Sequence, residues 1–208
     1  MGYTLIKYAL KTSHKNQLRI GNYIGYFISL TVVFWTIYKY SSKNFDITRD
    51  LPFHLCYFIA LLLPIFTTSR KKIIYDILLF WILAGTVQAI ITPELKYGFP
   101  HIHFFKFWIV HGGLIIAIFY ATFIYKMRPN LKSVLISFIA IQGYFIFAIL
   151  INKLTGANYF YLNAKPSAPS ILDYLGDWPN YIIVAELFLV PYFLLIYVPF
   201  YLTNKKKS

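Results

Sequence analysis

Six separate stretches of this chain, roughly residues 20–40, 51–68, 73–92, 106–125, 132–151 and 180–202, are strongly apolar. A helix needs about 20 such residues to cross a bilayer, and all but the second stretch come close to that length or exceed it. So little chain remains between them that no soluble domain of any size can fold alongside. With 59% of its residues hydrophobic and only 13% charged, the chain is excluded from the ordinary soluble class. The expected fold class is all-α: a polytopic membrane protein whose six-transmembrane-helix bundle occupies residues 20–202. A tail over 1–19 and a basic tail over 203–208 flank it. The second stretch is the weakest, being short and carrying His54 and Pro64.

The formal charge of +13 would suit nucleic acid if it were spread over one face, but its distribution follows the spans instead. Thirteen Lys and Arg residues fall on one side: Lys7, Lys11, Lys15 and Arg19; Arg70, Lys71 and Lys72; Lys126, Arg128 and Lys132; and Lys205, Lys206 and Lys207. The other side has seven, together with Asp46, Asp50, Glu94, Asp173 and Asp177. The positive-inside rule then puts both termini in the cytoplasm, consistent with an even number of spans. The expected location is the plasma (inner) membrane, multi-pass. Membrane lipids are the expected partners, and no nucleic acid is. The first apolar run is too long for the h-region of a cleavable signal. Residues 3–10 (YTLIKYAL) read either as a short amphipathic turn on the membrane surface or as a loose tail. One cysteine, Cys56, allows no intrachain disulfide.

That topology fixes depth. His54 and Cys56 open the second span, Gln88 lies near the outer end of the third, His111 one turn into the fourth, and Glu186 about two turns into the sixth. At 1.5 Å per residue these groups share one outer layer within about 5–10 Å of depth. Ionisable side chains inside a membrane face the bundle interior or a wet cavity, so four helices contributing at one level suggest a chamber. The plainer alternative is hydrogen bonding from helix to helix.

Within that layer Cys56 and His111 can act as nucleophile and base, with Glu186 or Gln88 orienting the imidazole or the carbonyl under attack. A free cysteine is also a common packing residue, so the residues alone leave Cys56 open between the two roles. His54 stands about 200° around a helix from Cys56, so one of the two lines the chamber while the other packs. His54, His101, His103, His111 and Glu186 are zinc-type donors, but no HExxH-like spacing joins them. No metal and no cofactor is expected. The connection over 152–179 has room for a lid or binding element. Within it Asn158, Tyr159, Lys165 and Trp178 are the expected substrate-binding residues, the aromatic ones at headgroup level.

The segments LPFHLC (51–56), TPELKYGFPHIHFFKFWIVHG (92–112), GANYFYL (156–162) and KPSAPSILDYLGDWP (165–179) resemble the YwaF-type family of bacterial integral membrane proteins. The resemblance covers about residues 45–200. That family is similar to a vertebrate membrane acyltransferase that remodels ether phospholipids. More distantly it is similar to the androgen-induced six-helix hydrolases of fatty-acid esters of hydroxy fatty acids. The resemblance implies an early-helix nucleophile, matched by Cys56, and a later-helix histidine, matched by His111. The expected function is thus a Cys–His lipid acyltransferase or lipid-ester hydrolase working in the outer-leaflet half. A small-molecule transporter or channel, or a non-catalytic membrane assembly protein, is the alternative.

Overall fold

The computed structural model describes residues 2–43 and 45–205. Lys206 and Lys207 of the basic tail lie outside the described residues. The described residues form seven helices of two turns or more: α1 (Gly2–Leu10), α2 (His14–Ser41), α3 (Leu55–Ser69), α4 (Lys72–Ile91), α5 (Ile102–Phe123), α6 (Leu131–Thr155) and α7 (Asn180–Lys205). Two short 3-10 turns, Tyr159–Tyr161 and Ile171–Tyr174, interrupt the last connection. No strand occurs among the described residues.

Five helices, α2 and α4 to α7, are long and apolar enough to cross a membrane. The outward faces are apolar too, as at Leu30, Phe34, Phe188 and Leu195, a surface suited to lipid rather than water. The second expected span is the exception. Residues 51–54 are bent around Pro52, and α3 begins only at Leu55 with His54 as its N-cap. Fifteen residues make about 22 Å of helix, short of the roughly 30 Å of hydrocarbon. Cys56 therefore stands in the first turn of α3. The N-terminal segment is a short helix that leaves Tyr3, Tyr8 and Leu10 exposed and rests on the bundle at one point. Ala9 of α1 is buried in a small cluster with Tyr120 and Ile124 of α5, and Gln17 donates to the Ala9 carbonyl.

Short turns join the helices at one end of the bundle and long connections at the other. Residues 42–54, 92–101 and 156–179 link α2 to α3, α4 to α5 and α6 to α7. Because the helices alternate in direction, all three connections meet over the same end. Tyr159 donates to the Ile47 carbonyl at 2.8 Å, and Tyr161 donates to Glu94 at 2.6 Å.

The core lies where α2 packs against α3 and α5, and α4 against α6. Two glycines allow the first of these approaches. A Cβ built on Gly25 would sit 2.3 Å from Thr67 Oγ1 of α3, and one on Gly113 would sit 2.7 Å from the Ile28 side chain of α2. Close backbone approach of this kind substitutes for the hydrophobic driving force that helices lack in lipid. Gly112, beside Gly113 in sequence, has open space around it. Gly113→Val should therefore lower the thermal stability of the detergent-solubilised protein by about 1–3 kcal/mol. Gly112→Ala, measured alongside, should leave the melting curve nearly unchanged.

Glu94 fastens the longest connection. Besides Tyr161 it accepts from the Ser167 amide and hydroxyl, both at 2.8 Å. Partial burial opposes its ionisation, but the hydrogen bonds from Tyr161 and Ser167 outweigh it and hold the carboxyl below its ordinary value of 4.5. A depressed carboxylate contributes stability that is present above the ordinary value and lost as pH falls through the depressed one. Limited proteolysis within residues 162–175 should therefore be slow at neutral pH and accelerate in acid below that value. Glu94→Ala should be cut quickly at neutral pH as well.

Candidate functional site

Beneath the three connections lies a cavity of about 900 Å³. Six helices and all three connections line it, and its walls come from one half of each helix: the C-terminal halves of α2, α4 and α6 and the N-terminal halves of α3, α5 and α7. Cys56, His111, His54, Gln88 and Glu186 all line it. The polar residues expected at one depth on separate helices are thus gathered around one space.

Cys56 reaches the cavity because α3 starts late. Its sulfur lies 3.5 Å from Thr86 Oγ1 of α4. Thr86 closes a π-helical segment, Ile82–Thr86, where the turn of α4 widens. Such single-turn insertions redirect side chains and recur at functional sites. With Gly85 facing Leu55 of α3, the segment leaves the thiol a hydroxyl neighbour on an otherwise apolar wall.

His111 is buried, 5% exposed, and its ring stacks on Phe107 at 4.0 Å between centroids. Its Nδ1 is 2.8 Å from the Phe107 carbonyl. A carbonyl oxygen only accepts, so Nδ1 carries the hydrogen and donates it. In the neutral ring this leaves Nε2 with the free lone pair, the tautomer a general base requires. The orienting group is therefore the carbonyl four residues back on the same helix. Glu186 instead accepts from Gln142 of α6 at 2.9 Å, and Gln88 donates to the Tyr192 hydroxyl at 3.3 Å. Neither makes a hydrogen bond to His111 among the described residues. Tyr57, next to Cys56 in the chain, meets the His111 ring edge-to-face at 5.9 Å.

His54 packs between Tyr159 and Tyr161, at ring distances of 5.1 and 5.3 Å, and also faces the cavity. His101 caps α5 by accepting from the His103 amide at 3.1 Å, and His103 leans edge-on against Trp35. Among the described residues no group of three or more His, Cys, Asp or Glu is placed to hold a metal ion.

The long connection covers the cavity through Tyr161, Leu162, Pro166 and residues 170–172. Asn158, Tyr159, Lys165 and Trp178 do not line it. Asn158 donates to the Ala164 carbonyl, and Tyr159 is buried against Phe53 and His54. Trp178 donates to the Leu162 carbonyl at 3.0 Å, and Lys165 stands 3.9 Å from Asp177. They hold the cover in shape.

Sequence reasoning missed Thr86, Tyr57, the Phe107 carbonyl and Lys106 as parts of the site. Lys106 had a signal, since a lysine inside an apolar helical run faces lipid only at a cost. It reads as a topology charge when the span is taken to begin there, but α5 begins four residues earlier, at Ile102. A π-helical turn and a backbone acceptor leave no comparable trace in residue types.

No curated protein and no solved structure gives a significant match to the chain. The model of the TMEM164 family, a membrane protein family, matches residues 2–197, and the chain accordingly belongs to the TMEM164 family.

Proposed function

We propose that this membrane protein is a thiol-dependent lipid acyl-transfer enzyme, an acyltransferase or an ester hydrolase, with Cys56 as nucleophile and His111 as base. The observation that carries the reading is that both side chains open into one cavity while the Nδ1 hydrogen of His111 is held by the Phe107 carbonyl. A fixed tautomer presenting Nε2 to the chamber is what proton relay needs. The resemblance of residues 45–200 to the YwaF-type family and its acyl-transferring relatives supports the same two residues.

The Cys56 sulfur adds to the carbonyl carbon of an acyl ester, and its proton passes to His111 Nε2. The tetrahedral intermediate collapses, the ester C–O bond breaks, and His111 returns the proton to the departing alkoxide. The acyl chain is now a thioester on Cys56. A hydroxyl of a second lipid, or water, then attacks that thioester with His111 taking its proton, and the thiol is regenerated. Cys56 lies in the first turn of α3, where amides have no earlier carbonyl in the helix to bind. Negative charge on sulfur or on the intermediate's oxygen is favoured at such a helix end. Thr86 is the side-chain hydroxyl beside the sulfur, suited to hold it in line. His54 and Glu186 complete the polar wall, and Asn158, Tyr159, Lys165 and Trp178 shape the cover above the substrate.

In the membrane we place six crossings, the short α3 included, with both termini in the cytoplasm and the cavity end in the outer leaflet of the plasma membrane. The charge asymmetry of the connections supports that orientation. A transporter or channel needs a path to the opposite end. There Phe66, Tyr75 and Leu79 are fully buried in the core, which favours the enzyme reading.

Purified wild-type protein incubated with lipids bearing an alkyne-tagged acyl chain should acquire a hydroxylamine-sensitive label at Cys56. Cys56→Ser should acquire none that hydroxylamine releases. His111→Ala should label about a hundredfold more slowly or worse, the usual contribution of a general base. Absence of label from the wild type, or equal labelling of all three proteins, would refute the covalent route.

A further inference from the structure

Among the described residues, one buried charged group lining the cavity has neither a hydrogen-bond nor an ion-pair partner. Lys106, on the second turn of α5, is 8% exposed and lines the chamber. Its Nζ lies 3.9 Å from the centre of the Tyr57 ring and 4.8 Å from that of Trp35. Among the described residues it makes no hydrogen bond and no ion pair. The carboxylates around the cavity are already engaged. Asp50 pairs with Lys39 at 3.3 Å and accepts from the Asp46 amide. Asp46 is held by Thr48 and Arg49, Glu94 by Tyr161 and Ser167, and Glu186 by Gln142.

Cation–π contact with two rings offsets part of the desolvation of an ammonium, but it supplies no counter-charge. A buried cation left this way is costly unless an anion completes it. The Tyr57 ring that carries Lys106 on its face also meets His111, and Tyr57 directly follows Cys56. An anion on Lys106 would therefore lie one aromatic ring away from the proposed acyl-transfer centre. In a glycerophospholipid a glycerol unit joins the phosphate to the ester carbonyls, so one molecule carries both groups.

We propose that Lys106 is a specificity-determining residue that binds the phosphate of the lipid headgroup and so sets the ester carbonyl at Cys56. The proposal deepens the acyl-transfer reading by naming the residue that selects the substrate's charged end, and it makes a binding prediction that does not need the chemistry. A lipid is favoured over free phosphate because most of the chamber's wall is apolar side chain such as Val32, Leu55, Ala84, Phe145 and Leu189, which needs acyl chain rather than water against it.

The test is a binding competition in detergent micelles, read by native mass spectrometry, on the Cys56→Ser protein so that turnover does not intervene. A phosphatidic acid and the diacylglycerol with the same chains compete for the protein. The Cys56→Ser protein should retain the phosphate lipid about tenfold to a hundredfold more strongly, the worth of a charge-assisted hydrogen bond. Adding Lys106→Gln should abolish the preference while adding Lys106→Arg should keep most of it, with melting curves confirming that each variant is folded. Inorganic phosphate at millimolar concentration should not displace the lipid. A preference that survives Lys106→Gln in folded protein, or is absent from the start, would overturn the proposal. So would displacement by inorganic phosphate. These results stand apart from the acyl-transfer reading, because Cys56 labelling in the otherwise native protein can fail while the Lys106-dependent preference persists, or the reverse.

Discussion

Hydrocarbon offers no hydrogen bonds, and that constraint organises this molecule. Every polar side chain on a membrane-crossing helix must find a partner within the protein or open onto a cavity. Most of the chain's do so, because the end with short turns packs closely and the end with long connections widens; Trp108 Nε1 of α5 is an exception, buried without a partner among the described residues. Toward the closed end Gly25 brings α2 against α3, midway along the bundle Gly113 brings α5 against α2, and Tyr75 satisfies its hydroxyl with Thr122. At the open end α3 starts late behind Pro52, and the π-helical segment widens α4. The space so left is where Cys56, His111, His54, Gln88, Glu186 and Lys106 collect.

What the sequence discloses and what it hides follow from the same constraint. Long apolar runs are required of any helix in lipid, so the five helices long and apolar enough to cross a membrane are legible from hydropathy, although α2 begins at His14, ahead of the expected residue 20. The grouping of Cys56 with His111 is legible too, because alternating direction converts position along the chain into depth. The partners of those residues are not legible. Glu186 and Gln88 stand at the right level beside a histidine, yet their rotation around α7 and α4 directs them to Gln142 and Tyr192. Depth is a one-dimensional coordinate, while a hydrogen bond needs three. The backbone acceptor at Phe107 has no side-chain signature, and Glu94 acquires its role only when a loop some seventy residues later folds over it.

The connection over 156–179 shows the difference between occupying a loop and serving a site. Its prominent polar and aromatic residues, Asn158, Tyr159, Lys165 and Trp178, mostly bond within the loop or to its footings. The surface offered to the cavity comes from Tyr161, Leu162 and Pro166 among them. A loop that must hold a shape without regular secondary structure uses its hydrogen-bonding side chains for that purpose. Its apolar ones are then left to face the cavity. Under the proposed function, substrate selection would fall on the helix walls, where the charges are fixed, rather than on the cover.

The account depends most on the thiol of α3 and the imidazole of α5 facing one another across a single chamber. Because Cys56 is the sole native cysteine, this can be measured directly. His111→Cys creates a pair that a short bifunctional thiol reagent can bridge within one chain, while Phe119→Cys, on the half-exposed lipid-facing side of α5, gives a pair that cannot be bridged. The account predicts rapid intramolecular crosslinking with His111→Cys and none with Phe119→Cys. Failure to crosslink Cys56 in the His111→Cys protein, with both thiols reactive toward a monofunctional reagent, would contradict it.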